Sequence, residues 1–431
     1  MISEDLEKLE AQQTPIRIAV SGAGWLGSGY VKAFSHTKGM RVDLIADPEI
    51  QLAKNAFLNT GILPDQIVEA DTPSAAMDAL SIGKKVVTGL YDLAAQVDVL
   101  DLVSDATPFP VSGAETAFSC VKYHKDVVMV NIEADVTVGR ILKKKAAEAG
   151  IIYTVSSGDE PGCLMELWDF VTTLGYTPVV IGKGKNNPLN PSATPETVAE
   201  SARKADKDPY QVASYVDGTK TMFEMACAAN ATGCQPQRRG MIGPEADQST
   251  ISQIFSLQED GGMIARPHTV DFVQGNAMSG GVFITARVED PRIQADLEYL
   301  KVGKGFYYTF FRPYHLWFLE APISVARAYL YRQTTLVPQD KPVAESMATA
   351  KRDLKAGEKL DTFGGYTFYG QIEKAEIARG VNALPTGLAP DAVMVKPVKA
   401  GDVITWQDVK LDENQTVVKL RREQDAMEIS S

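Results

Sequence analysis

Apolar positions in the first third of the chain fall into short runs separated by stretches of helical period. Leu6 and Leu9, among charged neighbours, give a short leading helix one apolar edge. The run Pro15 to Ser21 reads as a buried strand, Ser28 to Thr37 as a helix, and Met40 to Ala46 as a second strand ending at Asp47. Further strands are expected at Val86–Thr88, Val97–Val103, Asp126–Val130 and Ile151–Val155, with helices over Ser112–Tyr123 and Arg140–Ala149. Strands alternating with helices predict a parallel sheet covered on both faces.

The pattern then changes. Leu164 to Leu174 reads as a helix, and Lys183 to Pro191 as a basic, Asn- and Pro-rich loop. Tyr210 to Ala229 reads as one helix or two end to end, with Gly218 in the middle, and Gly280–Val288 and Phe306–Phe310 as strands. Ala348 to Leu360 has a near-echo in Ala392 to Ile404, each with a Lys-Ala-Gly turn, which predicts a small β domain. The expected fold class is α/β, in three domains. A Rossmann doubly wound parallel sheet spans 1–156, a mixed α/β catalytic or dimerisation domain 157–335, and a C-terminal β domain 336–431. The polar tail after Leu420 is expected to fray.

At 431 residues the chain exceeds one ordinary core. Its 43 Lys and Arg against 55 Asp and Glu give a net charge of −12, which argues against nucleic acid or an anionic membrane as partner. Four cysteines without CxxC pairing argue against a disulfide framework or a cysteine zinc site and fit a reducing compartment. The acidic N-terminus lacks a signal-peptide pattern, and no apolar stretch approaches the ~18 residues of a membrane span. A cytoplasmic protein is expected.

Gly22-Ala-Gly-Trp-Leu-Gly27 links the first strand to its helix. Gly22 permits the tight turn, Gly24 lets the backbone approach a pyrophosphate, and Gly27 lets the helix pack on the sheet. Asp47, twenty residues past Gly27, stands where a carboxylate meets a ribose. The alternative is a glycine-rich turn in a doubly wound fold without nucleotide. That carboxylate would repel a 2′-phosphate, so NAD is favoured over NADP, with Lys54 and Arg41 as the nearby cations that could reverse the preference.

The Rossmann third resembles homoserine dehydrogenase through Gly22–Gly27 (Trp25 and Leu26 included), Val99–Pro108 and Lys125–Asn131. That resemblance implies cofactor contacts at Ala106, Thr107 and Asn131. Asp217-Gly-Thr-Lys220 is similar to the segment carrying that family's catalytic lysine, which Lys220 would match. Lys351–Glu358, Gly364-Gly365 and Leu384–Leu388 resemble a SAF domain, a β-clip module. The combination, with Ser157–Gly162 and Arg312–Leu316 between, looks like the DXR-like (1-deoxy-D-xylulose 5-phosphate reductoisomerase-like) proteins. It implies NADPH, a divalent cation (Mg or Mn) and conversion of 1-deoxy-D-xylulose 5-phosphate to 2-C-methyl-D-erythritol 4-phosphate, an isoprenoid precursor. The chain departs from homoserine dehydrogenase at Asn131-Ile-Glu133 and in the spacing of Asp217 to Lys220.

Candidate chemistry follows. Lys220 would donate or relay the proton that accompanies hydride transfer; otherwise it is a solvated helix lysine. Asp159 and Glu160 follow a strand end, as catalytic groups or as ligands of a hard cation with Glu133 or Glu224; alternatively one of them caps the next helix. Lys183, Lys185, Asn186 and Asn187 would cradle a substrate phosphate, or form an exposed loop. Arg312 is expected to bind an anion, and His315 to be substrate-binding or a packed core residue. The aromatic run Phe306–Phe318 reads as core or interface, and Cys163 as a small buried hydrophobe. Three functions remain open: reduction of a phosphorylated ketose, dehydrogenation of a sugar acid or amino-alcohol, and non-catalytic NAD(P) sensing. A small-molecule substrate and a homo-oligomer are expected.

Overall fold

The computed structural model describes residues 1–429. The chain forms two compact units, one of residues 1–162, 316–337 and Asn414 onward, the other of 163–315 and 338–413. Among the described residues no helix is long and apolar enough to cross a membrane.

The first unit is built on seven parallel strands: β1 Ile16–Ser21, β2 Met40–Ala46, β3 Ile67–Glu69, β4 Lys85–Thr88, β5 Leu102–Asp105, β6 Asp126–Met129 and β7 Tyr153–Val155. Their order is β3-β4-β2-β1-β5-β6-β7. With β1 flanked by β2 on one side and β5 on the other, the switch point lies beside the end of β1, where such sheets bind ligands. Ile16, Ile18 and Val20 of β1 are wholly buried, covered by Tyr30, Val31 and Phe34 of the helix Trp25–His36. The apolar run of β1 is therefore what fixes the glycine turn at the sheet's carboxyl edge.

Three local expectations are corrected. The strand expected at Val97–Val103 begins only at Leu102; residues 97–100 instead form a turn closed by the Leu100 amide on the Val97 carbonyl. The helix expected from Arg140 spans Ile132–Ala149, because Asn131 caps it by accepting the Ala134 amide at 2.8 Å. The tail after Leu420 is not frayed: Thr416–Ile429 is helical, with Val417, Val418 and Leu420 buried. Gln424 accepts the Ile141 amide and donates to the Thr137 carbonyl, both on the helix Ile132–Ala149. Residues 430 and 431 lie outside the described residues.

The second unit holds a five-stranded mixed sheet in the order β12-β11-β8-β10-β9, from β8 Thr177–Lys185, β9 Gln235–Pro236, β10 Thr269–Gln274, β11 Val282–Arg287 and β12 Tyr307–Arg312. Strands β8 and β10 run parallel, while β11 is antiparallel to β8 and β12. The loop expected from Lys183 is corrected at its start, since Lys183, Gly184 and Lys185 finish β8 and are buried. The helical stretch divides into Pro209–Val216 and Thr219–Thr232 at Gly218, whose φ of 92° is the left-handed conformation glycine tolerates.

The two echoing C-terminal segments contact each other beside a strand pair. Ala344–Ala350 and Phe368–Lys374 (β13 and β14) pair antiparallel. The two Lys-Ala-Gly segments meet through a bridge between Leu354 and Val398, and the Ile404 amide donates to Ala348.

Candidate functional site

The glycine turn has the three properties its chemistry needs. Gly22 has φ 93°, and a Cβ there would lie 2.7 Å from the Ala106 carbonyl oxygen. A Cβ on Gly27 would lie 2.0 Å from the Gly22 carbonyl oxygen, so the helix approaches the strand only without a side chain. At Gly24 a Cβ would meet nothing within 4 Å, leaving open space over the first turn of the helix. Gly24 is the N-cap, and the first helical bond is from Ser28 back to Gly24. The amides of residues 25–27 thus precede any intrahelical bond, and their dipoles favour an anion.

Trp25 does not block this corner. It is 57% exposed and leans edge-on against Trp317, with ring centroids 5.1 Å apart. Phe318 packs over Gly29 of the same helix. Leu26 is half-buried against the core.

Asp47 is buried, and its carboxylate accepts the Ala23 amide at 2.6 Å and the Glu49 amide at 2.9 Å. It therefore holds the glycine turn to the end of β2. Both cations that could have received a 2′-phosphate are engaged: Arg41 with Asp43 at 2.9 Å and Lys54 with Glu69 at 3.1 Å.

The turn after β5 carries Ala106, half-buried, and Thr107, whose hydroxyl donates to Asp105 at 2.9 Å. The Asn131 amide group donates to the carbonyls of Thr107 and Phe109 at 2.9 and 2.7 Å. Both oxygen and nitrogen of Asn131 thus hold backbone in place, joining two strand-end loops beside Gly22. Asp105 was legible only as part of a motif. It is fully buried, and burial pushes its carboxyl up to about 7 against the opposing hydrogen bonds of Thr107 and Thr116.

Glu133 lies in the first turn of the helix that follows Asn131 and is half-buried. Asp159 is half-buried just ahead of the helix Glu160–Thr173, whose first residue, Glu160, is buried. Gly158 (φ 99°) lets the chain pass against the Trp317 carbonyl, and the Trp317 amide donates back to Gly158 at 2.8 Å.

In the second unit Lys220 sits half-buried in the first turn of the helix Thr219–Thr232. Asp217 starts that helix by accepting the Thr219 amide, and its other oxygen pairs with the buried Lys351 at 2.8 Å. Lys351 also donates to the carbonyls of Ala193 and Gly365. The Asp217–Lys351 pair had no sequence signal, being 134 residues apart (351 minus 217).

The cations expected to hold phosphate are committed elsewhere. Lys183 forms a buried pair with Glu224, which removes Glu224 as a cation ligand. Lys185 donates to the Tyr215 carbonyl at 2.7 Å; burial, reinforced by Lys183 nearby, pulls its ammonium down to about 8. Arg312 pairs with Glu166 at 3.0 Å and stacks over Tyr314. His315 is half-buried with Nδ1 2.8 Å from the Gly280 carbonyl. Asn186 is exposed and Asn187 half-buried. The aromatic run divides: Tyr307 and Tyr308 are core, whereas Phe306, Tyr314 and Trp317 are exposed. Cys163 is buried, as are the other three cysteines.

Fold and corner together define a dinucleotide-dependent enzyme class. A family model described as "Oxidoreductase DRL, catalytic domain" matches residues 158–321. The chain is an NAD(P)-dependent oxidoreductase. No curated protein matches it. Among solved structures, a probable dehydrogenase from Thermotoga maritima is 11% identical, with a TM-score of 0.43, over 74% of this chain and 90% of that one. A putative myo-inositol dehydrogenase from Sinorhizobium meliloti is 12% identical, TM-score 0.39, over 74% and 90%. Scyllo-inositol dehydrogenase from Lactobacillus casei is 11% identical, TM-score 0.38, over 75% and 92%.

Proposed function

We propose that the chain is an NAD-dependent dehydrogenase that interconverts a hydroxyl and a ketone on a small, polyhydroxylated, unphosphorylated molecule such as a sugar acid or amino-alcohol. One observation carries the substrate side of this reading. Lys183, Lys185 and Arg312, the cations expected to receive phosphate, are bound respectively to Glu224, the Tyr215 carbonyl and Glu166. Binding a phosphate there would mean breaking a buried ion pair, at about 3–5 kcal/mol for the charge left behind.

On the cofactor side, the first unit offers open space at Gly24, and Arg41 and Lys54, the cations near Asp47 in the sequence, are already paired. Those features support NAD, with the diphosphate over the helix start and the ribose toward Asp47. NAD supplies the hydride acceptor. Asn131 and Thr107 keep the strand-end loops in register, and Lys220 takes the hydroxyl proton as hydride leaves, or returns it in reduction. The reductoisomerase reading, with NADPH and with Mg or Mn held by Asp159 and Glu160, is our second reading; these adjacent carboxylates after β7 favour it, while Glu133, among the described residues, is not grouped with them.

An oxidation screen separates the two. NAD and NADP are offered with unphosphorylated polyols, sugar acids and amino-alcohols, and NADH and NADPH with phosphorylated ketoses, each with and without magnesium or manganese. Turnover of an unphosphorylated substrate with NAD, unaffected by chelator, is expected. Metal-dependent NADPH oxidation with 1-deoxy-D-xylulose 5-phosphate would establish the second reading instead.

A further inference from the structure

The second unit contains a cavity of about 300 Å³ lined by none of the residues assigned above to cofactor, hydride or proton. Leu189, Met222 and Phe272 give it apolar walls, and Arg238, Arg239 and Gln371 give it polar ones. That volume is at the lower end for small-molecule sites, which pair an apolar body with a few fixed polar groups.

The arginines stand on a turn held in an unusual conformation. Gly240, Met241 and Gly243 all have positive φ (72°, 66° and 62°), and Met241 has a side chain that disfavours it. Three devices hold that backbone. The buried Asp271 carboxylate accepts the amides of Ile242 and Gly243, at 3.0 and 2.8 Å. The Gly240 amide donates to Ile372 on β14 at 2.8 Å. Arg238 Nε donates to the Met241 carbonyl at 2.8 Å. A buried carboxylate spent on fixing a surface turn is costly unless the turn's geometry matters.

The charge balance points to an anion. Asp217, which also reaches the cavity, is already neutralised by Lys351. Arg239 has a long contact with Glu373, 3.4 Å. Arg238 donates to main-chain carbonyls and, among the described residues, makes no direct ion pair, although the Asp271 carboxylate is near enough to act on its charge. A guanidinium in no direct ion pair, its nearest buried carboxylate Asp271 being bound to the turn's own amides, beside a cavity of mixed polar and apolar lining, matches a carboxylate or phosphate attached to a compact hydrocarbon body.

We infer that this cavity binds a small organic anion, a carboxylate or a phosphate monoester with an apolar body, at a site separate from the dinucleotide corner. This goes beyond the proposed reaction and does not depend on it. The test uses ligand-observed NMR on the full chain with two probes, 3-methylbutanoate and isobutyl phosphate, and with acetate and chloride as controls. At least one probe is expected to bind with a millimolar dissociation constant, and which one does distinguishes carboxylate from phosphate. Arg238→Gln is expected to weaken it roughly tenfold. Saturating NADH is expected to leave it unchanged. Because Arg238 also braces its turn, Arg239→Gln is the second variant, expected to weaken binding with melting temperature and NADH affinity kept. Absence of binding by both probes, equal binding by the two variants and wild type, or displacement by NADH would each overturn the inference.

Discussion

The Asp47 carboxylate, at the end of the second strand, accepts the amide of Ala23 inside the glycine turn at 2.6 Å. One side chain thus fixes the turn and places negative charge where a ribose, or an unwelcome 2′-phosphate, would stand. Asp47→Ala leaves the Ala23 and Glu49 amides without their acceptor, at a cost of about 1–3 kcal/mol. We expect a lower melting temperature, weaker NAD binding and a smaller preference for NAD over NADP. Titration of both cofactors checks this; an unchanged ratio would show that the carboxylate plays no part in discrimination.

Asp105 makes stability depend on pH. Its carboxyl has an ordinary value of 3.8 and is raised by burial to about 7. Between those values the unfolded chain has lost the proton that the folded chain keeps. The Asp105 contribution to stability therefore falls as pH rises from about 4 to about 7 and is flat above. Asp105→Asn removes this slope, so its melting temperature is expected to gain on the wild type between pH 5 and pH 8. Parallel curves for the two proteins would mean that Asp105 is ionised throughout.

The C-terminal helix is part of the first unit's core. Ending the chain before Thr416 removes buried Val417, Val418 and Leu420 and uncovers the helix Ile132–Ala149. At about 1.5–3 kcal/mol per buried aliphatic side chain, we expect a loss of several kcal/mol, read as a lower denaturant midpoint. A truncated chain of wild-type midpoint would contradict the packing described here.

Lys220 is the proposed proton-transfer group, and the cofactor corner is built without it. Lys220→Ala is expected to lower kcat by about 10²–10⁴ while NADH affinity stays within twofold. If kcat survives and only stability changes, Lys220 is a structural residue.

Much of the first unit was legible because a buried parallel sheet writes itself as short apolar runs, and Met40–Ala46 matches its strand end to end. Val97–Leu100 misled because an apolar turn packed into the core looks like strand; Val97 and Leu100 are buried there. Lys183 and Lys185 read as loop because buried lysines are rare, and what keeps them inside β8, a carboxylate 41 residues away for Lys183 and a carbonyl 30 away for Lys185, leaves no local trace. The tail misled for a similar reason: its polar Arg421 and Gln424 are buried by bonding to a distant helix. Gly22 and Gly27 were legible because each answers a local steric demand, whereas Gly24 meets no neighbour and was legible only through its place in the motif.

The account rests on a diphosphate occupying the space above Gly24, and Gly24→Ala addresses it directly. A methyl group there touches no protein atom within 4 Å, so the fold should not register it, but it intrudes where the cofactor would lie. Calorimetric titration with NADH is predicted to show binding by the wild type, at least roughly tenfold weaker binding by Gly24→Ala, and identical melting temperatures without cofactor. Equal NADH affinity in the two proteins, or no NADH binding by the wild type, would contradict the account.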